Sequence, residues 1–299
     1  MEFGISLPTY PEGATVEGFV AVARAAERLG YTSAWTTDHV IMPPEQAGPY
    51  ASIFEPLMVL AYLAAQTESV RLGISVIVVP QRNGIVLAKE LATLDHLSGG
   101  RLVVGVGAGW NEAEFRMLDA GERFHRRGLY LDETLRVWRH LWTDPAKPFA
   151  GRFYDLPEVA FGPLPLTAGG PPVWVGGSSE AARRRAGRSG AAWHPVNVPA
   201  DEIATQFAVV QQAAEDAGRA APVIAPRLSM QFGTSYGGPV SASGARALEA
   251  GSSDEMVEKL GAYRDAGVSE IICHFGFPDG NAVVEAMERF AAEVIPAFV

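Results

Sequence analysis

Eight short apolar runs alternating with amphipathic helical stretches predict an α/β chain whose parallel strands close into a (β/α)8 TIM barrel. Two observations favour that closure over a doubly wound open sheet. The 299 residues supply the roughly 250 that such a barrel needs. Polar and glycine-rich signals also recur evenly at strand ends, where an open sheet would gather them at one switch point. The chain is therefore read as one TIM-barrel domain over 1–299, with insertion loops over the C-terminal mouth.

The strands are expected at Phe3–Leu7, Ser33–Thr37, Val70–Val79, Leu102–Val106, Val173–Val175, Ala191–His194, Ile224–Phe232 and Glu270–Phe275. Val16, Phe19, Val20 and Ala23 mark one face of a first helix, with Gly30 as its left-handed stop. Asn83 is placed to N-cap a helix bearing Leu87, Leu91 and Leu94 that ends at Gly99. Ser252 and Glu255 form a capping box ahead of Val257 and Leu260, with Gly267 beyond. Asn281 starts a final helix through Val284, Met287, Phe290 and Val294. Two stretches, about 144–172 and 233–251, are too long for ordinary connectors. They read either as lids over the mouth or as plain surface excursions.

A formal charge of −10, with no lysine- or arginine-rich stripe, argues against nucleic-acid and anionic-membrane partners. Cys273, the single cysteine, excludes a disulfide framework and a thiolate metal cluster. Its apolar run Ile271-Ile272-Cys273 suggests an inert buried thiol. No secretory leader and no run of about 18 apolar residues is found, so a cytoplasmic protein is expected. None of the six histidines forms a helical zinc pair, and no metal is expected. Neither a G-x-S-x-G elbow nor a G-K-[ST] phosphate loop is present, which demotes nucleophilic and nucleotide hydrolysis.

The most informative cluster is Trp35-Thr36-Thr37-Asp38-His39-Val40, at the C-terminal end of the second strand. In a parallel barrel that end carries the chemistry. Histidine titrates near neutral pH, so His39 is the candidate acid or base. Neighbouring strand residues face opposite ways, so Asp38 is expected as an N–H acceptor or anchor behind it. His194 and His274 also fall at strand ends, whereas His96, His125 and His140 read as structural.

Two glycine-rich strand ends follow. Gly105-Val106-Gly107-Ala108-Gly109-Trp110-Asn111 precedes a helix expected from Glu112, and Trp174-Val175-Gly176-Gly177-Ser178-Ser179 precedes another. Such segments let backbone amides approach a ligand, and helix N-termini favour anions. Glycines needed only for tight turns explain the first equally well. Among Arg183, Arg184 and Arg185, one could reach an anionic tail while the others face solvent.

These runs resemble the luciferase-like monooxygenase superfamily. The resemblance is carried by Leu29-Gly30-Tyr31, Asp38-His39-Val40, Leu87 through Asp95, Leu97-Ser98-Gly99-Gly100-Arg101 and Gly105 through Trp110. Val173 through Gly177 and Trp193-His194-Pro195 agree. The pattern is nearer the F420-dependent branch. It implies a TIM barrel, usually a homodimer, that binds the deazaflavin F420 or, alternatively, FMN, and acts on a small-molecule substrate. By that resemblance His39 is the catalytic base. Asp38, Ser75, Val76, Gly107, Ala108, Gly109, Gly176, Gly177 and Ser178 hold the coenzyme, with a cis bond between Ser75 and Val76. Trp110, Trp193 and His194 would face the substrate. Sugar-phosphate dehydrogenases of this branch carry an acid where this chain has Trp110, which implies a less polar substrate unless Glu112 or Glu114 compensates. Phe54 and Phe275 are further candidate walls. The reading is F420-dependent hydride transfer. The alternatives are an FMN-dependent monooxygenase and a coenzyme-binding relative without activity.

Overall fold

A computed structural model describes residues 1–9, 14–50, 52–232, 248–276 and 279–299. The barrel strands are β1 (Glu2–Ser6), β2 (Ser33–Thr36), β3 (Arg71–Val78), β4 (Leu102–Gly107), β5 (Val173–Gly176), β6 (Ala192–His194), β7 and β8 (Glu270–His274). Each pairs in parallel with its neighbour, and β8 returns to β1 with Glu2 opposite Glu270. Strand β7 is in two pieces, Val223–Ile224 against β6 and Arg227–Phe232 against β8. Bridges from Val196 to Arg227 and from Ile224 to Val268 complete the ring. The break falls at Ala225-Pro226, because proline has no N–H to give a ladder on both sides.

The α-helices of six or more residues are α1 (Val16–Leu29), α2 (Pro56–Ala64), α3 (Gly84–Leu97), α4 (Glu112–Met117), α5 (Arg127–Thr143), α6 (Glu180–Ser189), α7 (Ala200–Asp216), α8 (Ser253–Asp265) and α9 (Gly280–Glu293). Local chemistry sets their ends. Gly30 closes α1 at φ +80°, the Asn83 side chain caps α3, and Ser252 caps α8. The final helix starts at Gly280 rather than Asn281, because Asp279 accepts from the N–H groups of Asn281 and Ala282.

Period-two alternation along the strands splits the core in two. Trp35, Val103, Trp174, Ala192, Ala225 and Ile272 fill the inside of the ring, while Leu72, Val104, Val175 and Trp193 face the helices. Cys273 is fully buried, and burial drives its thiol pKa upward.

Residues 144–172 do not cross the mouth. They leave the C-terminal end of α5 and enter β5 at its start, so both anchors lie at the opposite face of the barrel. Glu133 of α5 accepts from the N–H groups of Arg152, Phe153 and Tyr154, and Asp95 of α3 holds Thr167. None of these residues lines the cavity described below. The other expected excursion, 233–251, lies outside the described residues apart from 248–251, where a short strand, Leu248–Ala250, pairs in parallel with Met230–Phe232 of β7. The mouth is bordered by the segments that follow β2 and β4, which carry Tyr50, Trp110 and His125.

Candidate active site

A cavity of about 530 Å³ opens at the C-terminal ends of the strands. That size suits a small-molecule or cofactor site, typically about 300–1,000 Å³. Its wall is built from strand ends that could not meet if they carried larger residues. The Ser75–Val76 peptide bond is cis, and the register of β3 against β4 shifts between Ile74 and Ile77. The Val76 side chain lies against β4 and β5. A Cβ on Gly107 would fall 2.6 Å from Val76 Cγ2, and one on Gly176 would fall 2.8 Å from Val76 Cγ1. These glycines are therefore required by packing around Val76. The same packing leaves their backbone on the cavity surface.

His39 leaves the end of β2 and lines the cavity with its side chain 8% exposed. Its Nδ1 lies 3.0 Å from Glu114 Oε2, and Glu114 Oε1 accepts from the Val40 N–H at 2.8 Å. Burial tends to raise the Glu114 pKa. Hydrogen bonds from His39, the Gln81 side chain and the Val40 N–H outweigh it and hold the carboxyl below its ordinary range. A carboxylate can only accept, so Nδ1 of a neutral His39 carries the proton. Nε2 is then the nitrogen without a protein partner among the described residues. The Tyr50 ring sits 4.3 Å from the imidazole, centroid to centroid, and Trp110 sits 5.9 Å away.

Asp38 points the other way, as strand alternation requires. It accepts from the Val78 N–H at 2.9 Å and from Arg82 Nη2 at 2.7 Å, with its side chain fully buried. It thus pins the end of β3 beside the cis bond.

The opposite wall is cationic. Arg127 donates to the Gly109 carbonyl at 3.0 Å, and Arg185 donates to Asp132 at 2.6 Å and to the Gly128 carbonyl at 3.0 Å. Both line the cavity, together with His125, Arg227 and the first turn of α6. Helix α6 is capped by Ser179, whose hydroxyl accepts from the Ala182 N–H at 3.2 Å. This combination of helix N-terminus and guanidinium groups favours an anion.

The structure brings Asp38, His39, Ser75, Val76, Gly107, Ala108, Gly109, Trp110, Gly176 and Gly177 to this cavity. Three sequence-derived candidates are placed elsewhere. Ser178 is exposed and off the wall, where Ser179 takes its place. Trp193 is fully buried on the outer side of β6, donating to the Gly177 carbonyl and stacking near Phe207. His194 faces inward but lies below the cavity floor. It is fully buried between Trp35 and Trp174, with Nε2 2.8 Å from Ser75 Oγ and Nδ1 directed at the Ala225 carbonyl. Burial pushes its pKa down to about 4. Because a carbonyl only accepts, Nδ1 carries the proton and Nε2 accepts from Ser75. Phe54 packs on Phe19 and Phe275 on Phe290, leaving Trp110 as the cavity wall among the candidates Phe54, Trp110, Trp193 and Phe275.

Glu114 emerges as the partner of His39 rather than a substrate contact, and Glu112 does not line the cavity. His125, read as structural, lines it. Tyr50, Arg127 and Arg227 had no local signal, since each reaches the cavity only through tertiary placement. Among the described residues no group of three His, Cys, Asp or Glu could hold a metal, and no helix is long and apolar enough to cross a membrane.

The sequence model described as luciferase-like monooxygenase matches residues 1–237. The chain belongs to the luciferase-like monooxygenase family. Within the family, an uncharacterized protein of Mycobacterium tuberculosis (strain ATCC 25618 / H37Rv) is 31% identical over 218 residues, 68% of this chain and 74% of its own. Two solved structures superpose along the whole chain. An F420-dependent secondary alcohol dehydrogenase, in complex with an F420-acetone adduct, gives a TM-score of 0.84 at 18% identity, covering 100% of this chain and 99% of that one. The FMN-bound oxygenating constituent of 3,6-diketocamphane monooxygenase from Pseudomonas putida gives 0.79 at 19%, with coverage of 100% and 99%. At such identities the likeness carries the fold alone. Family members are oxidoreductases and monooxygenases, with F420-dependent and FMN-dependent enzymes among this chain's structural neighbours.

Proposed function

We propose that this chain is an F420-dependent oxidoreductase that moves a hydride between the deazaflavin and a small uncharged organic substrate, with His39 as acid or base. The observation that carries the reading is the buried His39–Glu114 pair opening onto a cavity with a cationic far wall. The residues present fit the coenzyme. Val76 and Ala108, with the backbone of Gly107 and Gly176, would support a planar ring. Arg127, Arg185 and the N-terminus of α6 would hold the anionic arm. When bound, the deazaflavin supplies a two-electron hydride acceptor or donor.

The chain's own residues supply the rest. For oxidation of an alcohol, His39 Nε2 would accept the O–H proton. In the reverse direction the protonated imidazole returns it. Glu114 stays ionised and accepts from Nδ1 throughout. Tyr50 and Trp110 flank His39, where they would narrow the space open to substrate and water. Among the described residues, Asp38 is the acidic side chain on the cavity lining, and it is turned to Arg82. With the cationic wall assigned to the coenzyme's arm, the aromatic rings of Tyr50 and Trp110 beside His39 suit an uncharged substrate best.

A second reading, FMN-dependent oxygenation, is favoured by a 35% identity over 131 residues with an FMNH(2)-dependent dimethylsulfone monooxygenase of Pseudomonas putida. That match spans 42% of this chain and 35% of the relative. Titrating purified apoprotein with F420 and with FMN, followed by fluorescence quenching, separates the two. The proposal expects saturable F420 binding at least tenfold tighter than FMN, and the reverse order overturns it. Exchanging His39 for alanine should slow turnover by about 10²–10⁴-fold, with coenzyme affinity largely retained.

A further inference from the structure

We infer that Glu114 is a positioning residue that locks His39 in a single tautomer, with N–H at Nδ1 and the lone pair of Nε2 turned to the cavity. The inference deepens the function proposed above and rests on the proton-transfer role given there to His39.

Glu114 lies 75 positions from His39 in the chain, in the first turn of a six-residue helix, with its side chain 1% exposed. Both of its oxygens are committed, one to each of two neighbouring residues: Oε1 to the Val40 N–H and Oε2 to His39 Nδ1. Two donors on one carboxylate fix the ring's position as well as its protonation. The carboxylate is itself held from behind. Its backbone N–H donates to the Asn111 cap at 3.1 Å, and the Asn111 amide donates to Gln46 at 2.9 Å, which ties α4 to the segment after β2. Among the described residues no other charged side chain pairs with the imidazole. Asp38 is turned to Val78 and Arg82, and Tyr50 and Trp110 present rings. Among the described residues Glu114 is the carboxylate within ion-pair distance of His39.

The isosteric substitution Glu114→Gln tests the tautomer directly. A glutamine offers one carbonyl and one NH2 where the carboxylate faced the Val40 N–H, His39 Nδ1 and the Gln81 side chain. The Val40 N–H cannot change and keeps the oxygen, so the new NH2 faces Nδ1. His39 must then accept at Nδ1 and carry its proton on Nε2, the wrong atom for a base.

Nitrogen-15 NMR of the coenzyme-free protein, with His39 assigned from the spectrum of a His39→Asn variant, should show the Nδ1–H tautomer in the parent and the Nε2–H tautomer in Glu114→Gln. Turnover of a simple secondary alcohol with F420 should fall by about 10²–10⁴-fold in Glu114→Gln, with the coenzyme dissociation constant within twofold. A parent spectrum showing Nε2–H, or both tautomers in exchange, overturns the inference. So does a Glu114→Gln protein that loses turnover without the tautomer change, because that outcome marks a role in folding alone. If the variant does not fold, the parent spectrum still decides. The NMR arm needs no coenzyme, so failure of the proposed function leaves the tautomer result standing.

Discussion

Replacing Asp38 with alanine removes one buried acceptor from two donors at once. The Val78 N–H, now 2.9 Å from Asp38 Oδ2, would be left buried and unpaired, at a cost of about 1–3 kcal/mol. Arg82, 2.7 Å from Oδ1, would lose its fully buried partner, and breaking a buried ion pair from one side costs about 3–5 kcal/mol. Arg82 retains Glu55 at 3.1 Å, but that carboxylate is 39% exposed and compensates little. The two losses share one side chain and do not add, so the expected destabilisation is about 3–5 kcal/mol. The double variant Asp38→Ala, Arg82→Met removes the stranded cation as well and should recover about 1–2 kcal/mol of that loss. Urea unfolding followed by tryptophan fluorescence, with far-UV circular dichroism as a second probe, measures both. A single-variant loss under about 1 kcal/mol, or a double variant no more stable than the single, would refute the anchoring role given to Asp38.

Other perturbations test the remaining walls. Gly107→Ala places a Cβ 2.6 Å from Val76 Cγ2 and should cost about 1–3 kcal/mol in urea unfolding, with loss of coenzyme quenching. Trp110 is 57% exposed, so Trp110→Ala should leave the unfolding free energy within about 0.5 kcal/mol of the parent while raising substrate KM. Stability should also fall on the acid side through His194. Its folded pKa of about 4 lies below the ordinary value of about 6.5, so the unfolded chain takes the proton first. The contribution is fully present above about pH 6.5 and lost as pH drops toward 4, a span worth up to about 3 kcal/mol. Urea midpoints across that window should show a shallower slope in His194→Gln, and an unchanged slope would remove His194 as the source.

The site was only partly legible in the chain. Local spacing placed Asp38 and His39 at a strand end, and strand alternation assigned Asp38 to an anchoring position that the structure also gives it. Asn83, Ser252 and Gly30 announced their caps, because capping is settled within four residues. The long segment 144–172 was misplaced. Length alone does not reveal which face of a barrel a loop covers, whereas its position between a helix and the next strand does. Ser178 and Ser179 are indistinguishable as letters, and only the observed φ and ψ at the start of α6 decide which hydroxyl caps it.

The sequence by itself determined the barrel, its order of strands and helices, and the glycines at the ends of β4 and β5, since periodicity and turn chemistry are local. Only the tertiary structure decided the partner of His39, because Glu114 and Val40 meet across 74 positions of chain through the closure of the ring. The same closure gave the glycines their reason, the bulk of Val76, which no spacing rule along one strand could supply.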